Sequence, residues 1–256
     1  MRRILVTNDD GVDSEGIIVL AEALRGLGEV FVVAPDGDRS GVSHAISIHH
    51  SVTIVDVPGR AVPTYRCSGM PADCVILGVH QLAPGPVDLV VSGINRGANL
   101  ADDINYSGTV AAAVEAILIG VPSIAVSLAA SWPAVDVVHY WDVAGRFARE
   151  LALRTFEEPL PAFTFWNLNV PNRAEVAEMR VTRQGRKRYG DRLALDASAG
   201  GARTYRIWGR DIRRSGDDTD EAAVHAGFAS ITPLRVDRTD DAVYRELSAR
   251  ATLPAG

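Results

Sequence analysis

The first 130 residues alternate short apolar runs with stretches of helical periodicity. Four runs rich in β-branched residues predict buried strands at Arg3–Thr7, Val30–Ala34, Leu89–Ser92 and Ser123–Val126. Apolar residues recur every three to four positions in three further stretches, which predicts helices at Gly16–Leu24, Asp73–His80 and Val110–Ile119. This alternation indicates an α/β fold that is Rossmann-like, with a mainly parallel sheet and helices on both of its faces.

The pattern changes after the second predicted strand and again beyond residue 160. Alternation in Ile46–Val57 predicts inserted antiparallel strands, and Val135–Leu153 has the periodicity of a long helix. Later segments predict a β-rich region with strands at Phe163–Val170, Arg180–Thr182, Thr204–Trp208 and Ser230–Leu234 and a short helix at Asp220–Ala226. Without a linker or repeat between them, we expect one domain over residues 1–256. Its core spans about 1–160, and a β-hairpin-rich oligomerisation region spans about 161–256.

Composition and charge exclude several classes of protein. With 47% hydrophobic and 23% charged residues, the chain is neither disordered nor collagen-like. The formal net charge of −6 makes nucleic acid an unlikely partner. Lys187 is the one lysine among 26 basic residues, and we expect it to lie with Arg183, Arg186 and Arg188 on a solvated face. Binding of RNA or a protein partner by the Arg180–Arg214 region stays open as an alternative.

The cysteines and the apolar segments bear on localisation. Cys67 and Cys74 are the two cysteines, which excludes a disulfide framework, and their spacing matches no zinc motif. No secretory signal precedes Asn8. Val110–Trp132 is apolar but contains Glu115 and the break at Gly120–Pro122, so it predicts a buried helix and strand instead of a membrane span. We therefore expect a cytoplasmic protein with no membrane partner.

Polar side chains follow three strands of the predicted sheet. Asp9 and Asp10 come after the first strand, Ser40 follows the second, and Asn95 follows the third. Because loops at the carboxyl ends of parallel strands converge, these residues are expected to share one crevice. Adjacent carboxylates repel, and a divalent cation offsets that repulsion. An all-oxygen set suits Mg²⁺, Mn²⁺ or Ca²⁺ better than Zn²⁺. A plain turn of helix-capping acids remains the alternative for Asp9 and Asp10.

A second candidate site precedes the predicted helix Val110–Ile119. Ser107, Gly108 and Thr109 form a small turn at a helix start, where backbone N–H groups and the helix dipole bind anions such as phosphate. Ordinary capping by Ser107 or Thr109 is the competing interpretation. The chain has no P-loop, GxGxxG or G-x-S-x-G motif, and the proximity of His44 to Ser40 is weak support for a nucleophile pair.

Eight segments in a fixed order resemble the SurE family, the stationary-phase survival proteins that act as metal-dependent 5'-nucleotidases. They span nearly the whole chain and comprise Ile4–Gly11, Val32–Gly41, Ser68–Val75, Ser92–Ala116, Asn167–Pro171, Thr182–Tyr189, Ile207–Arg210 and Ser230–Leu234. Met70, Ala101 and Ala116 depart from the residues usual in the family. None is a candidate ligand, but Ala101 is expected to stiffen the loop between Asn95 and Ser107.

The resemblance implies a function and a set of site residues. It implies one divalent metal ion per subunit, Mg²⁺, Mn²⁺ or similar, with the ligands Asp9, Asp10, Ser40 and Asn95. Phosphate contacts are implied for Asn95 and for Ser107, Gly108 and Thr109. The implied substrates are nucleoside 5'-monophosphates, with 3'-monophosphates and short polyphosphate as further candidates. Homodimers or homotetramers are implied, with C-terminal elements exchanged or packed between subunits.

Two chemical routes and one other class of protein stay open. Asp9 and Asp10 are the catalytic candidates, acting on a metal-activated water, and a covalent aspartyl-phosphate on Asp9 is the second route. A non-catalytic regulator that binds nucleotide or metal in the same crevice is the alternative class. The preferred base, the phosphate position, the native metal and the oligomer size are left open.

Overall fold

The computed structural model describes residues 1–130, 137–187, 192–199, 202–208 and 216–250. Its strands are β1 (Arg3–Thr7), β2 (Glu29–Pro35), β3 (Ile54–Asp56), β4 (Thr64–Cys67), β5 (Leu89–Arg96), β6 (Ser123–Ala129), β7 (Thr164–Pro171), β8 (Met179–Val181), β9 (Arg192–Ala199), β10 (Ala202–Trp208) and β11 (Ala229–Arg235). Its α-helices are α1 (Glu15–Leu24), α2 (Pro71–Leu77), α3 (Gly108–Leu118), α4 (Trp141–Glu157), α5 (Asp220–His225) and α6 (Asp241–Ser248).

A nine-stranded central sheet runs in the order β3-β4-β2-β1-β5-β6-β7-β11-β8. Its six central strands, from β4 to β7, are parallel to one another. Antiparallel pairs occur where β3 meets β4 and where β11 meets β7. A second sheet contains only β9 and β10, which form an antiparallel hairpin. The predicted Rossmann-like α/β fold with an added hairpin is confirmed.

Two helical layers bury the two faces of the sheet. Ile4 and Val6 of β1 pack on one face in a cluster with α1 and α4, whereas Leu5 points to the other face and packs near α2 and α3. This is the period-two alternation of a strand that is covered on both sides. The layers leave the carboxyl ends of the central strands as the edge where loops meet.

Three predicted elements differ from the structure in extent. β5 continues to Arg96, so Asn95 lies in the strand and not in the loop after it. Of the predicted insertion, only Ile54–Asp56 is a strand. Residues 135 and 136 of the predicted long helix lie outside the described residues, and α4 begins at Trp141. Residues 137–140 are not helical, and here Asn172 accepts a hydrogen bond from Tyr140 N and donates one to Val138 O. These bonds hold the preceding backbone outside the helix.

The central sheet continues past residue 160, because β7, β11 and β8 all join it. These pairings connect residues far apart in sequence, such as Ser230 with Asn169. A boundary near residue 160 therefore falls inside the sheet, and among the residues that the structure describes the β9–β10 hairpin alone forms a separate sheet. Trp132, Arg188, Tyr189 and residues 209–214 lie outside the described residues. Across the described ranges, every helix is too short or too polar to traverse a lipid bilayer.

Candidate active site

A cavity of about 870 Å³ opens at the carboxyl ends of the central strands. Its volume falls within the range of small-molecule pockets, roughly 300–1,000 Å³. Five of the predicted site residues line it, namely Asp9, Asp10, Ser40, Asn95 and Ser107. The predicted convergence of the loops on one crevice is therefore confirmed.

The turn after β1 is shaped by Asn8. Its side-chain amide donates to Gly11 O at 3.0 Å and to Ser14 Oγ at 2.8 Å, and its Oδ1 accepts from Gly11 N at 3.2 Å. The following helix α1 begins only at Glu15, with Ser14 at its N-cap position. Asp9 and Asp10 therefore do not cap this helix. The turn projects both carboxylates into the cavity instead.

Asp9 is buried and held by the start of α3. Only 3% of Asp9 is exposed, and Thr109 Oγ1 donates a hydrogen bond to its Oδ1 at 2.5 Å. Burial raises the pKa of Asp9 to about 6, with a smaller increase from the charge of Asp10 and an opposing effect of Thr109. A Cβ on Gly108 would lie 2.8 Å from Asp9 Oδ2, so only glycine fits beside this carboxylate.

Asp10 connects the first turn to β5. Its Oδ2 accepts a hydrogen bond from Arg96 N at 3.1 Å, which places Asp10 beside the residue that follows Asn95. Burial raises the pKa of Asp10, and the hydrogen bond and charge of Arg96 oppose that rise. Asn95 donates from Nδ2 to Gly97 O at 2.9 Å, so its amide nitrogen is used within the strand end. The Oδ1 atom of Asn95 is the one suited to a cation.

The loop after β2 brings Ser40 to the same place. Arg39 N donates to Asp9 O at 2.7 Å and fixes this loop against the first turn. The Ser40 hydroxyl donates to Asp38 Oδ1 at 2.5 Å, which leaves its oxygen lone pairs for another partner. His44 is 2.8 Å from Glu115 Oε2 through Nε2 and is not hydrogen-bonded to Ser40. The geometry does not support a Ser40–His44 nucleophile pair.

The four candidate ligands fit a hard divalent cation. Two partly dehydrated carboxylates, a hydroxyl oxygen and an amide oxygen are the donor types that Mg²⁺ and Mn²⁺ prefer. Within the described ranges, no cluster of three or more His, Cys, Asp or Glu side chains could hold a metal. The candidate set contains only two such residues, Asp9 and Asp10. Its remaining donors come from Ser40 and Asn95, so the two statements are compatible.

At the start of α3, the side chains of Ser107 and Thr109 make hydrogen bonds within the protein, which leaves the backbone of this turn for a ligand. Ser107 Oγ accepts from Val110 N at 3.0 Å, so the capping interpretation describes what its side chain does. Thr109 is fully buried with its hydroxyl directed at Asp9 and does not line the cavity. Gly108 is buried beside Asp9 and, like Thr109, does not line the cavity, so Ser107 is the residue of this turn whose backbone faces it. Thr109 would act through Asp9.

Several side chains hold the wall between Asn95 and Ser107, and sequence patterns singled out only Lys187 among them. Asp220 Oδ2 accepts from Ala101 N at 2.8 Å, and Gln184 Nε2 donates to Ala101 O at 3.0 Å. Lys187 Nζ contacts Asp103 Oδ2 at 2.6 Å, and Asp103 lines the cavity. Lys187 is only 12% exposed, so its predicted place on a solvated face is wrong. In the sequence, the one feature that distinguishes Lys187 is that it is the single lysine of the chain.

Comparisons with known proteins agree with this geometry. The family model described as "Survival protein SurE" matches residues 4–191. A protein of Syntrophotalea carbinolica named "5'-nucleotidase SurE" is 46% identical over 247 residues, covering 96% of each chain. One of Geobacter sulfurreducens with the same name is 44% identical over 248 residues, covering 96% of this chain and 91% of its own. The crystal structure of the SurE protein from Aquifex aeolicus superposes with a TM-score of 0.83 at 35% identity, covering 98% of this chain and all of the other. This chain belongs to the SurE family.

Proposed function

We propose that this chain is a divalent-metal-dependent 5'-nucleotidase that hydrolyses nucleoside 5'-monophosphates to nucleoside and phosphate. The observation that carries the proposal is the meeting of Asp9, Asp10, Ser40 and Asn95 in one cavity, beside the N-terminus of α3. The relatives named 5'-nucleotidase cover almost the whole chain, which supports the same activity here. Hydrolysis of 3'-monophosphates and short polyphosphate is included in the proposal as secondary activity.

The proposed cofactor is one divalent cation per subunit, Mg²⁺ or Mn²⁺, held by Asp9, Asp10, Ser40 and Asn95. When bound, such an ion supplies Lewis acidity toward a phosphoryl oxygen and toward an attacking water. The charge of the cavity supports a bound cation. Seven acidic residues line it, namely Asp9, Asp10, Asp13, Glu15, Asp36, Asp38 and Asp103, together with Arg96. Asp13, Asp36 and Asp103 form ion pairs with arginine or lysine. A phosphate dianion would be repelled by the remaining carboxylates, above all Asp9 and Asp10, and a divalent cation would offset that repulsion.

The chain's own residues then bind and orient the reacting groups. We propose that backbone N–H groups at the positive end of α3, beginning with that of Ser107, bind phosphoryl oxygens. Asp9 or Asp10 orients the water and accepts its proton as the water oxygen bonds to phosphorus. The bond from phosphorus to the ester oxygen breaks, and a proton returns to that oxygen. Trapping of a phosphorylated Asp9 during turnover would instead establish the covalent route.

Phosphate release tests the proposal directly. Purified protein is assayed with AMP and GMP, with EDTA and then with added Mg²⁺ or Mn²⁺. We expect release that EDTA abolishes and either metal restores, with Asp10→Asn nearly inactive. Asp13→Asn is the matched control, because Asp13 lines the same cavity but pairs with Arg60 and Arg66. Binding of AMP without any turnover would favour a regulator and contradict the enzyme.

We also propose a homodimer or homotetramer in which residues 161–256 supply the contacts. α6 has no buried residue, and Val243, Tyr244 and Leu247 lie exposed on it. Leu193, Leu195 and Tyr205 of the β9–β10 hairpin are exposed as well. Burying these apolar side chains between subunits would stabilise an oligomer. Light scattering of Val243→Glu/Leu247→Glu should give a smaller species than the wild type, and an unchanged mass would contradict this role for α6.

A cytoplasmic location is proposed from the low cysteine content.

A further inference from the structure

We infer that His139 and Trp141 form the nucleobase-binding wall of the cavity and select substrates that carry a base. The inference rests on the proposed function and names the part of the substrate that this wall would contact. The two rings stack with centroids 5.1 Å apart and planes 16° from parallel. Both residues line the same cavity as Asp9 and Asn95.

The lining has two chemically different parts. Carboxylates, amides and glycines make up most of the lining, whereas Ala130, His139 and Trp141 add a methyl group and two aromatic rings that stack on each other. A nucleoside monophosphate has the same division, with a charged phosphate at one end and a planar base at the other. Aromatic rings bind bases by stacking, and every base presents a face that can do so.

The wall is held in place before any ligand arrives. Trp141 donates from Nε1 to Glu15 Oε2 at 2.9 Å. It also packs against Gly16, where a Cβ would lie 3.2 Å from its Cζ3. On the other side, Asn172 accepts from Tyr140 N at 3.0 Å and donates to Val138 O at 2.9 Å. A preorganised aromatic surface loses little conformational entropy on binding, which favours a binding role.

One atom of the wall lacks a partner. Nε2 of His139 is shielded from solvent and accepts or donates no hydrogen bond among the described residues. Buried polar atoms are normally hydrogen-bonded, so a small movement of the ring toward the polar edge of a bound nucleoside would satisfy it. Tyr106, the third aromatic residue of the lining, is more exposed and follows the 3₁₀ turn at Ala101–Asn105. Tyr106 directly precedes Ser107 in the chain, which puts it next to the proposed phosphate end.

The test compares AMP with ribose 5-phosphate, which keeps the sugar and the phosphate ester but has no base. For His139→Ala and Trp141→Ala, we expect kcat/KM for AMP to fall about tenfold or more, in line with the strength of base stacking. The value for ribose 5-phosphate should stay within about twofold of wild type. His139→Phe, which retains an aromatic ring, should keep most of the preference for AMP.

Three results would overturn the inference. The first is that kcat/KM for both substrates stays at its wild-type value in both alanine variants, and the second is that both values fall equally, as a structural defect would cause. The third is a loss of the preference for AMP in Tyr106→Ala alone, which would assign the base to Tyr106. If the wild type released phosphate from neither compound, the proposed function would fail instead. Calorimetric binding of AMP and ribose 5-phosphate to the same variants, with Mn²⁺ present, would then decide the inference separately.

Discussion

Thr109 donates its hydroxyl proton to the buried carboxylate of Asp9, with 2.5 Å between the two oxygens. The contact joins residues 100 positions apart and connects the start of α3 to the turn after β1. It also explains why Thr109 does not line the cavity, although the sequence predicted a phosphate contact there. The hydroxyl stabilises the ionised form of Asp9, which is the form that binds a cation.

Removing that hydroxyl should weaken metal binding. In Thr109→Val the shape is nearly kept, but a hydrogen bond to a buried charge is lost, at a cost of about 1.5–3 kcal/mol. We expect Mn²⁺ affinity and kcat/KM to fall by about tenfold or more. Thr109→Ser retains the hydroxyl and is the matched control. Equal Mn²⁺ affinities in both variants, measured by calorimetry, would refute this role for Thr109.

The raised pKa of Asp9 predicts how the metal-free protein responds to pH. A carboxyl whose folded pKa is about 6, above the usual 3.8, holds its proton more tightly in the folded state. Stability from this group is therefore present at low pH and is lost as the pH rises from about 4 to about 6. The size is on the order of 3 kcal/mol. Thermal melts in EDTA should show this fall.

Asp9→Asn should remove that part of the pH dependence, because an amide does not titrate. At pH 7.5 without metal, we expect this variant to melt at a higher temperature than the wild type while releasing no phosphate. Such a gain is common where a strained functional group is neutralised. A lower melting temperature for Asp9→Asn would show that the ionised carboxylate stabilises the metal-free fold.

Ala101 carries a conformational cost that glycine would relieve. Its φ of 54° lies in the left-handed region, which costs an L-residue roughly 1–2 kcal/mol. Asp220 and Gln184 hold both of its backbone groups in that conformation. Ala101→Gly should raise the free energy of unfolding by about 0.5–1 kcal/mol, a rise of a few degrees in Tm. Ala222→Gly in α5, where the backbone is helical, should lower it by about 1 kcal/mol.

Lys187 and Asp103 should behave as a partly buried ion pair that supports the cavity wall. Lys187→Met alone leaves the Asp103 carboxylate without this partner, at a cost of about 1.5–3 kcal/mol and with a raised KM for AMP. The double variant Lys187→Met/Asp103→Leu should recover part of the lost stability, because neither charge is then buried alone. Urea unfolding of the wild type, of Lys187→Met and Asp103→Leu singly, and of the double variant gives the coupling energy. Additive losses would argue against a direct interaction.

Sequence patterns predicted the features that depend on local alternation. They did not predict those that depend on contacts between residues far apart in the sequence. The alternation in Arg3–Thr7 and Val30–Ala34 predicted the parallel sheet, and its geometry then placed Asp9, Asp10 and Ser40 together. Local patterns do not show partners such as Lys187 and Asp103, which are 84 residues apart. For the same reason the sequence suggested a boundary near residue 160, although β7, β11 and β8 complete the sheet.

His139 illustrates a second limit of sequence patterns. The apolar periodicity of Val135–Leu153 favours one long helix, in which His139 and Trp141 would project from different faces. Two hydrogen bonds of Asn172 keep the backbone before Trp141 out of the helix, and the rings stack. Only tertiary contacts could reveal that arrangement.

Calorimetric titration of Mn²⁺ into EDTA-stripped protein tests the metal centre most directly. For the wild type we predict one ion bound per chain and recovery of phosphate release in proportion to occupancy. Asp10→Asn and Asn95→Ala should lose most of that affinity, whereas Asp13→Asn should keep it. Unchanged Mn²⁺ binding in Asp10→Asn and Asn95→Ala, or full turnover of AMP without any divalent ion, would contradict the account.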